Sequence, residues 1–140
     1  MGQLVREQYG EAAVLIGFST YTGTVTAAND WDGPAELQQV RPALPDSYEA
    51  LFHETGLPCF WLNLREDQPA IAQLREPRLE RAIGVIYRPR SERLSHYFHT
   101  QLPSQFDAII HIDDTRAVEP LDRDEPVEDS EVPETYPSAL

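Results

Sequence analysis

Apolar residues in this chain gather in short runs separated by turn formers, and the runs switch between the periods of strands and helices. Ala12 to Ser19, with Val14, Leu15, Ile16 and Phe18, is almost continuously apolar and reads as a strand buried on both faces. Thr20 to Ala28, with four Thr around Gly23 and Val25, reads as a second strand beside it, and Asn29 to Pro34 as a loop. Cys59 to Leu64, Ala82 to Tyr87 and Ala108 to Ile112 are further strand-like runs. Between them stand helical signals. Leu4 to Tyr9 ends at Gly10, a residue suited to a left-handed stop, and its shortness suggests truncation. Asp46 is placed to cap a helix carrying Tyr48, Leu51, Phe52 and Thr55, with Glu49 reaching back to the cap and Gly56 ending the run. Pro69 opens a short helix to Arg75. Strands alternating with short helices give an α/β layer architecture, a mixed β-sheet flanked by helices.

From Glu119 the pattern stops, and Pro, Glu and Asp dominate. Too little apolar material remains there to offset the entropy of ordering, so residues 122–140 are expected to be a disordered acidic tail on a domain of residues 1–121. A sharper alternative makes that tail a partner-binding segment. A chain of 140 residues suits one domain with a real core. No apolar run approaches the roughly 20 residues needed to span a bilayer, and the N-terminus lacks a basic region followed by an apolar one, so a cytoplasmic location is expected.

The formal charge is −13, concentrated in residues 113–140, where ten acidic groups face two Arg. Such a surface repels phosphate backbones and anionic lipid, which argues against nucleic acid and membrane as partners. All eleven basic residues are Arg. Without Lys there is no Schiff-base chemistry and no phosphate loop of the Gly-Lys-Ser/Thr type. The single Cys59 excludes an internal disulfide and reads as a buried, inert thiol.

The richest stretch runs from Arg88 to Asp113, between two strand-like runs, where a sheet presents a functional loop. His96 and His99 are three apart and would share a helical face, as metal ligands or as hydrogen-bonded packing residues. No acidic companion stands at ligand spacing, so no metal or cofactor is expected. His111 and Asp113 fall on one side of a strand, either as an oriented imidazole for proton transfer or as a strand end turning polar. Ser95 beside His96 does not make a nucleophile pair, and no serine has the flanking glycines of a nucleophile elbow. Arg88, Arg90 and Arg93 either clamp a carboxylate or solubilise a loop. Trp61 is expected in the core. Trp31, in a polar turn, is the better candidate for the lip of a ligand pocket, and Tyr21 offers a further apolar face.

Three blocks carry a resemblance: Ile16 to Ala28 (Gly-Phe-Ser-Thr-Tyr-Thr-Gly-Thr-Val-Thr-Ala-Ala after Ile16), Arg41 to Gly56 (beginning Arg-Pro-Ala-Leu-Pro-Asp-Ser-Tyr-Glu-Ala-Leu-Phe-His), and Leu74 to Leu121. Together they resemble the C-terminal part of the erythromycin esterase family, over nearly all of residues 1–121. The resemblance implies an α/β protein related to hydrolases of the macrolide lactone ester. It also implies that the proton-handling His and Glu residues, including a His-Asn-x-His segment, belong to a part of the domain upstream of residue 1. On this basis His96 and Tyr97 of the Ser95-His96-Tyr97 motif, with Tyr21 and Thr22, are expected to line the pocket beside Trp31. The expected function is that of a fragment, inactive alone, of an ester- or lactone-cleaving enzyme. The rival expectation is a binding module that complements a separate N-terminal chain. A sheet lacking the helices that cover it would leave an apolar face exposed, so self-association is expected as well.

Overall fold

The structure, a computed structural model, describes residues 2–119. The expected acidic tail and the boundary at residue 121 lie outside the described residues. Helix α1 (Gly2–Tyr9) stops at Gly10, whose φ of +54° is the left-handed conformation the sequence suggests. Beyond a single 3₁₀ turn the chain enters β1 (Ile16–Ala27). The two strands expected across this region are one, because no turn former interrupts Ser19-Thr20 and the Thr-rich half continues the extended backbone.

Strand β1 pairs antiparallel with β2 (Glu36–Val40) over Gly23 to Ala27, and parallel with β6 (Ala108–Thr115) over Ile16 to Gly23. On the other edge of β6 lies antiparallel β3 (Cys59–Asn63), giving the order β2-β1-β6-β3. Mixed pairing and flanking helices make this an α/β fold. A separate two-stranded sheet joins β4 (Arg78–Arg81) to β5 (Tyr97–Thr100).

Between the strands lie α2 (Tyr48–His53) and α3 (Pro69–Gln73), then α4 (Glu92–Ser95) before β5 and α5 (Leu102–Gln105) after it. The stretch from Arg88 to Asp113 is therefore not one loop between strands. Nor is Ala82 to Tyr87 a strand: it makes one bridge, Ile86 to Ala28, and its apolar content goes into seating Tyr87 against Ala27 and Val40. The strand begins earlier, in a charged segment.

Helix α2 corrects a second expectation. Its cap is Ser47, whose hydroxyl accepts from Ala50 N at 3.1 Å, while Asp46 sits outside the helix at φ +67°. Glu49 makes no bond to the Asp46 amide; it turns inward, is buried, and accepts from Arg81 N.

One face of the sheet is covered. Tyr48 and Phe52 of α2, Ile71 and Leu74 at α3, and Leu102 of α5 pack on Ile109, with Phe60 and Leu62 beside them. Tyr48 is fixed by its hydroxyl, which accepts from Leu102 N at 3.1 Å and lies 2.9 Å from Leu74 O. Among the described residues the opposite face is open: Phe18, Ile110 and Trp61 lie side by side across three strands, with Phe18 72% exposed and Trp61 55% exposed. Burial of β1 on both faces, of Trp61, and of Cys59 is thus not found, since all three belong to this face.

Candidate functional site

A cleft of about 410 Å³ opens on that uncovered face, at the carboxyl ends of the parallel pair β1 and β6. Gly23 makes it possible. Its φ is +121°, and a Cβ there would lie 2.1 Å from Thr115 O, so only glycine lets the chain after β6 pass so close. The threonines of β1 then pin that crossing segment. Thr24 Oγ1 accepts from Ala117 N at 2.9 Å, Thr26 Oγ1 donates to Val118 O at 2.9 Å, and Thr20 and Thr115 hydroxyls meet at 3.2 Å. Phe18, Ile112 and Val118 supply apolar walls, and Arg81 with Ile83 closes one side.

Arg81 is the hub of the region, with a side chain only 1% exposed. Nη2 donates to Thr20 O and to Tyr21 O (2.9 Å), and Nη1 to Arg41 O (2.7 Å) and Glu92 Oε1 (2.9 Å). Tyr87 donates its hydroxyl to the other oxygen of Glu92. Burial, and then this bond to a carboxylate, push the Tyr87 phenol far above its ordinary range. Tyr97 faces the Arg81 cation at 5.8 Å and accepts from Leu44 N at 3.1 Å; burial pushes its phenol up to about 12. Glu49 backs the same strand, accepting from Arg81 N at 2.9 Å.

A second constellation lies under the sheet. His111, fully buried, has Ser19 Oγ 3.0 Å from Nδ1 and Asp113 Oδ1 3.4 Å from Nε2, while Asp113 also takes His53 Nδ1 at 2.8 Å. Burial lowers the pKa of His111 although Asp113 pulls it upward. The neutral ring therefore donates Nε2–H to Asp113 and accepts the Ser19 hydroxyl, the tautomer a base would need. Yet the ring is held between Phe52 (5.3 Å) and Phe60 (5.1 Å) on the covered face. His111 and Asp113 do face one side, as the alternation of β6 requires. The polar strand-end reading is corrected, because His111 is sealed from solvent.

The five residues expected to line a pocket are placed as follows. Tyr21 stacks on His53 at 3.7 Å, and Thr22 donates to Val40 O at 3.0 Å. Tyr97 is linked to Tyr21 through Arg81, which lies over the Tyr97 ring and donates to Tyr21 O; Thr22 has no bond to Arg81. His96, at the end of α4, accepts from Arg88 N at Nε2 (3.0 Å) and donates from Nδ1 to Ala82 O (3.1 Å), which occupies both ring nitrogens. Trp31 stands apart, 74% exposed. None of the five borders the cleft. His99 lies on β5, so the helical His96–His99 pair does not form, and no cluster of three metal-ligating side chains exists among the described residues. Arg88 is held by Asn29 O and Asp30, and with Arg93 outside its cleft the three loop arginines do not converge.

Arg81, Glu92, Glu49 and Ser19 are not foreseen as site residues from the sequence, where Glu49 reads only as part of a helix cap. Their partners are distant in the chain, and the only local signal was a pair of charges, Glu80-Arg81, ahead of an apolar run.

No helix among the described residues is long and apolar enough to cross a membrane. Two solved structures share the fold: a protein from Bacillus cereus (TM-score 0.68) and a succinoglycan biosynthesis protein (TM-score 0.66). Each is 24% identical over 82% of this chain. The chain spans 28% and 27% of their lengths, respectively. The erythromycin esterase model matches residues 1–115, the whole of the sheet and both constellations, and by that match the chain belongs to the erythromycin esterase family.

Proposed function

We propose that this chain serves as the C-terminal portion of a cytoplasmic carboxylic ester hydrolase of the erythromycin esterase type, forming one wall of its substrate cavity and cleaving no ester by itself. The cleft lining carries the reading: threonine hydroxyls, apolar side chains and arginines border it, but no imidazole or carboxylate does among the described residues. Such a surface binds an ester without supplying the groups that move its protons. Apolar walls with a rim of hydroxyls suit a large, weakly polar substrate such as a macrolide lactone, whose loss would be an antibiotic-resistance activity. The test is direct. The purified chain is incubated with erythromycin and with p-nitrophenyl esters, and no turnover above buffer is expected; turnover that disappears in His111→Gln would overturn the reading.

The open sheet face favours a second form of the same idea, in which the covering part of the domain comes as a separate chain. The two solved structures, more than three times longer than the stretch they share with this chain, fit an occupant of that kind. Co-expression with the N-terminal part of a family member, followed by pull-down, is expected to recover both pieces. Failure to associate at micromolar concentration would remove this second form.

A further inference from the structure

The geometry points to an oxyanion site at the opposite end of the sheet from the cleft just described, in a cavity of about 700 Å³ lined by Arg6, Arg65, Arg75, Gln101 and Ser104. It lies where β1 and β6 begin, since Leu15 and Asp107 immediately precede those strands and Leu64 follows β3.

Asp107 organises it. The carboxylate, 7% exposed, takes both Arg6 nitrogens (3.0 and 2.7 Å), Arg65 Nε (2.7 Å) and Leu15 N (2.7 Å). Every lone pair is in use, so Asp107 fixes two guanidiniums without reaching into the cavity. Arg65 gives its Nη2 to Ala13 O at 2.9 Å, and its Nη1 has no partner among the described residues. Arg75 has no side-chain partner among the described residues. The Gln101 carbonyl oxygen receives the Ser104 hydroxyl at 3.4 Å, which leaves the Gln101 amide nitrogen to donate.

The cavity therefore presents donors almost exclusively: a held guanidinium edge, an unengaged guanidinium and an amide. Among the described residues Glu11 is the one carboxylate in the lining that opposes them. Three arginines against Glu11 and Asp107 leave a positive surplus in a chain of net charge −13. The long-range field of the protein repels anions, so any anion held here is held by direct N–H···O bonds. That condition selects a small ligand rich in acceptor oxygens, a carboxylate or a phosphate, gripped by the planar fork of Arg75.

Calorimetric titration of the full chain with inorganic phosphate and, separately, with succinate, at constant ionic strength set by chloride, tests the site. Saturable binding of one equivalent is expected. Phosphate alone identifies a phosphoryl ligand, succinate alone a carboxylate ligand, and both together a general oxyanion site. Arg75→Gln should weaken binding about ten-fold or more, and Arg75→Lys, which keeps the charge and loses the fork, should weaken it measurably. Arg93→Gln, at an exposed position outside the cavity, should change nothing. Arg75 supports no other side chain, so these variants are expected to fold, which circular dichroism checks. Absence of saturable heat with both anions, or binding undiminished in Arg75→Gln, overturns the proposal. Either result leaves the esterase reading untouched, because the two cavities share no residue.

Discussion

The Arg81 guanidinium is accommodated inside the protein because carbonyls of β1, a carbonyl of Arg41 and the Glu92 carboxylate meet its nitrogens. A buried ion pair of this kind contributes little against an apolar replacement of both partners, but breaking one side leaves the other charge stranded. Arg81→Met is expected to cost roughly 3–5 kcal/mol, read as a lower urea midpoint, with Glu92→Gln in the same background recovering part of the loss. Glu80 and Glu49 pose the reverse problem, since each keeps one carboxylate oxygen buried without a hydrogen-bond partner among the described residues. Burial, and then the charge of Glu49, push Glu80 up to about 7 from 4.5. The fold thus accommodates the protonated acid. Its contribution is fully present below about pH 4.5 and is lost as pH rises toward 7, a swing on the order of 3 kcal/mol. His111 slopes the other way: its lowered pKa means the fold resists the charged ring, and stability falls as pH drops below the unfolded value of 6.5. The difference between wild type and Glu80→Gln in urea titrations across that range isolates the carboxyl; parallel curves would refute the assignment.

Helix α2 shows how far an element can be read from its own residues. Asp46 and Ser47 are both capping types, and the sequence alone favours Asp46 because Glu49 stands three residues later. Tertiary structure decides for Ser47: Tyr48 must reach Leu74 O, and Glu49 must face Arg81 N, which turns the helix start by one residue. Ser47→Ala is therefore expected to cost about 1 kcal/mol, whereas Asp46→Gly, at a left-handed φ of +67°, should cost nothing or stabilise slightly. Equal losses in thermal unfolding would restore Asp46 as the cap. Where punctuation was local the sequence was legible: Gly10 and Gly56 stop helices, Pro69 starts one, and the apolar runs of β3 and β6 are strands. Strand β4 was illegible because Arg78-Leu79-Glu80-Arg81 looks solvated, and its burial depends on partners from α2, α4 and β1. The cleft was half legible. Its threonines were seen as strand formers, but their role in pinning residues 117 and 118 arises only once Gly23 lets the chain cross.

At the scale of the molecule the open sheet face is the feature that decides behaviour in solution. Trp61 reads as core in the sequence because Phe60, Trp61 and Leu62 are all apolar, and in a sheet buried on both faces they would all be covered. Here the helices among the described residues cover one face, so Phe18, Ile110 and Trp61 form a continuous apolar row beside Cys59. Patches of a few hundred Å² on a monomer commonly mark association, and full burial of a large apolar side chain contributes ~1.5–3 kcal/mol. The isolated chain is expected to self-associate, its sedimentation coefficient rising with concentration. Phe18→Asp together with Trp61→Asp removes two of the largest contributors and should weaken association about a hundred-fold or more. Both side chains are already exposed, so the far-ultraviolet circular dichroism should not change. A wild-type chain that stays monomeric across the same concentrations would mean the face is content in water, and the case for a covering segment would lose its physical basis. If the double variant instead abolishes capture of a co-expressed N-terminal part while the wild type retains it, self-association and complementation use one surface. The oligomer is then the substitute contact of a sheet whose natural neighbour is elsewhere.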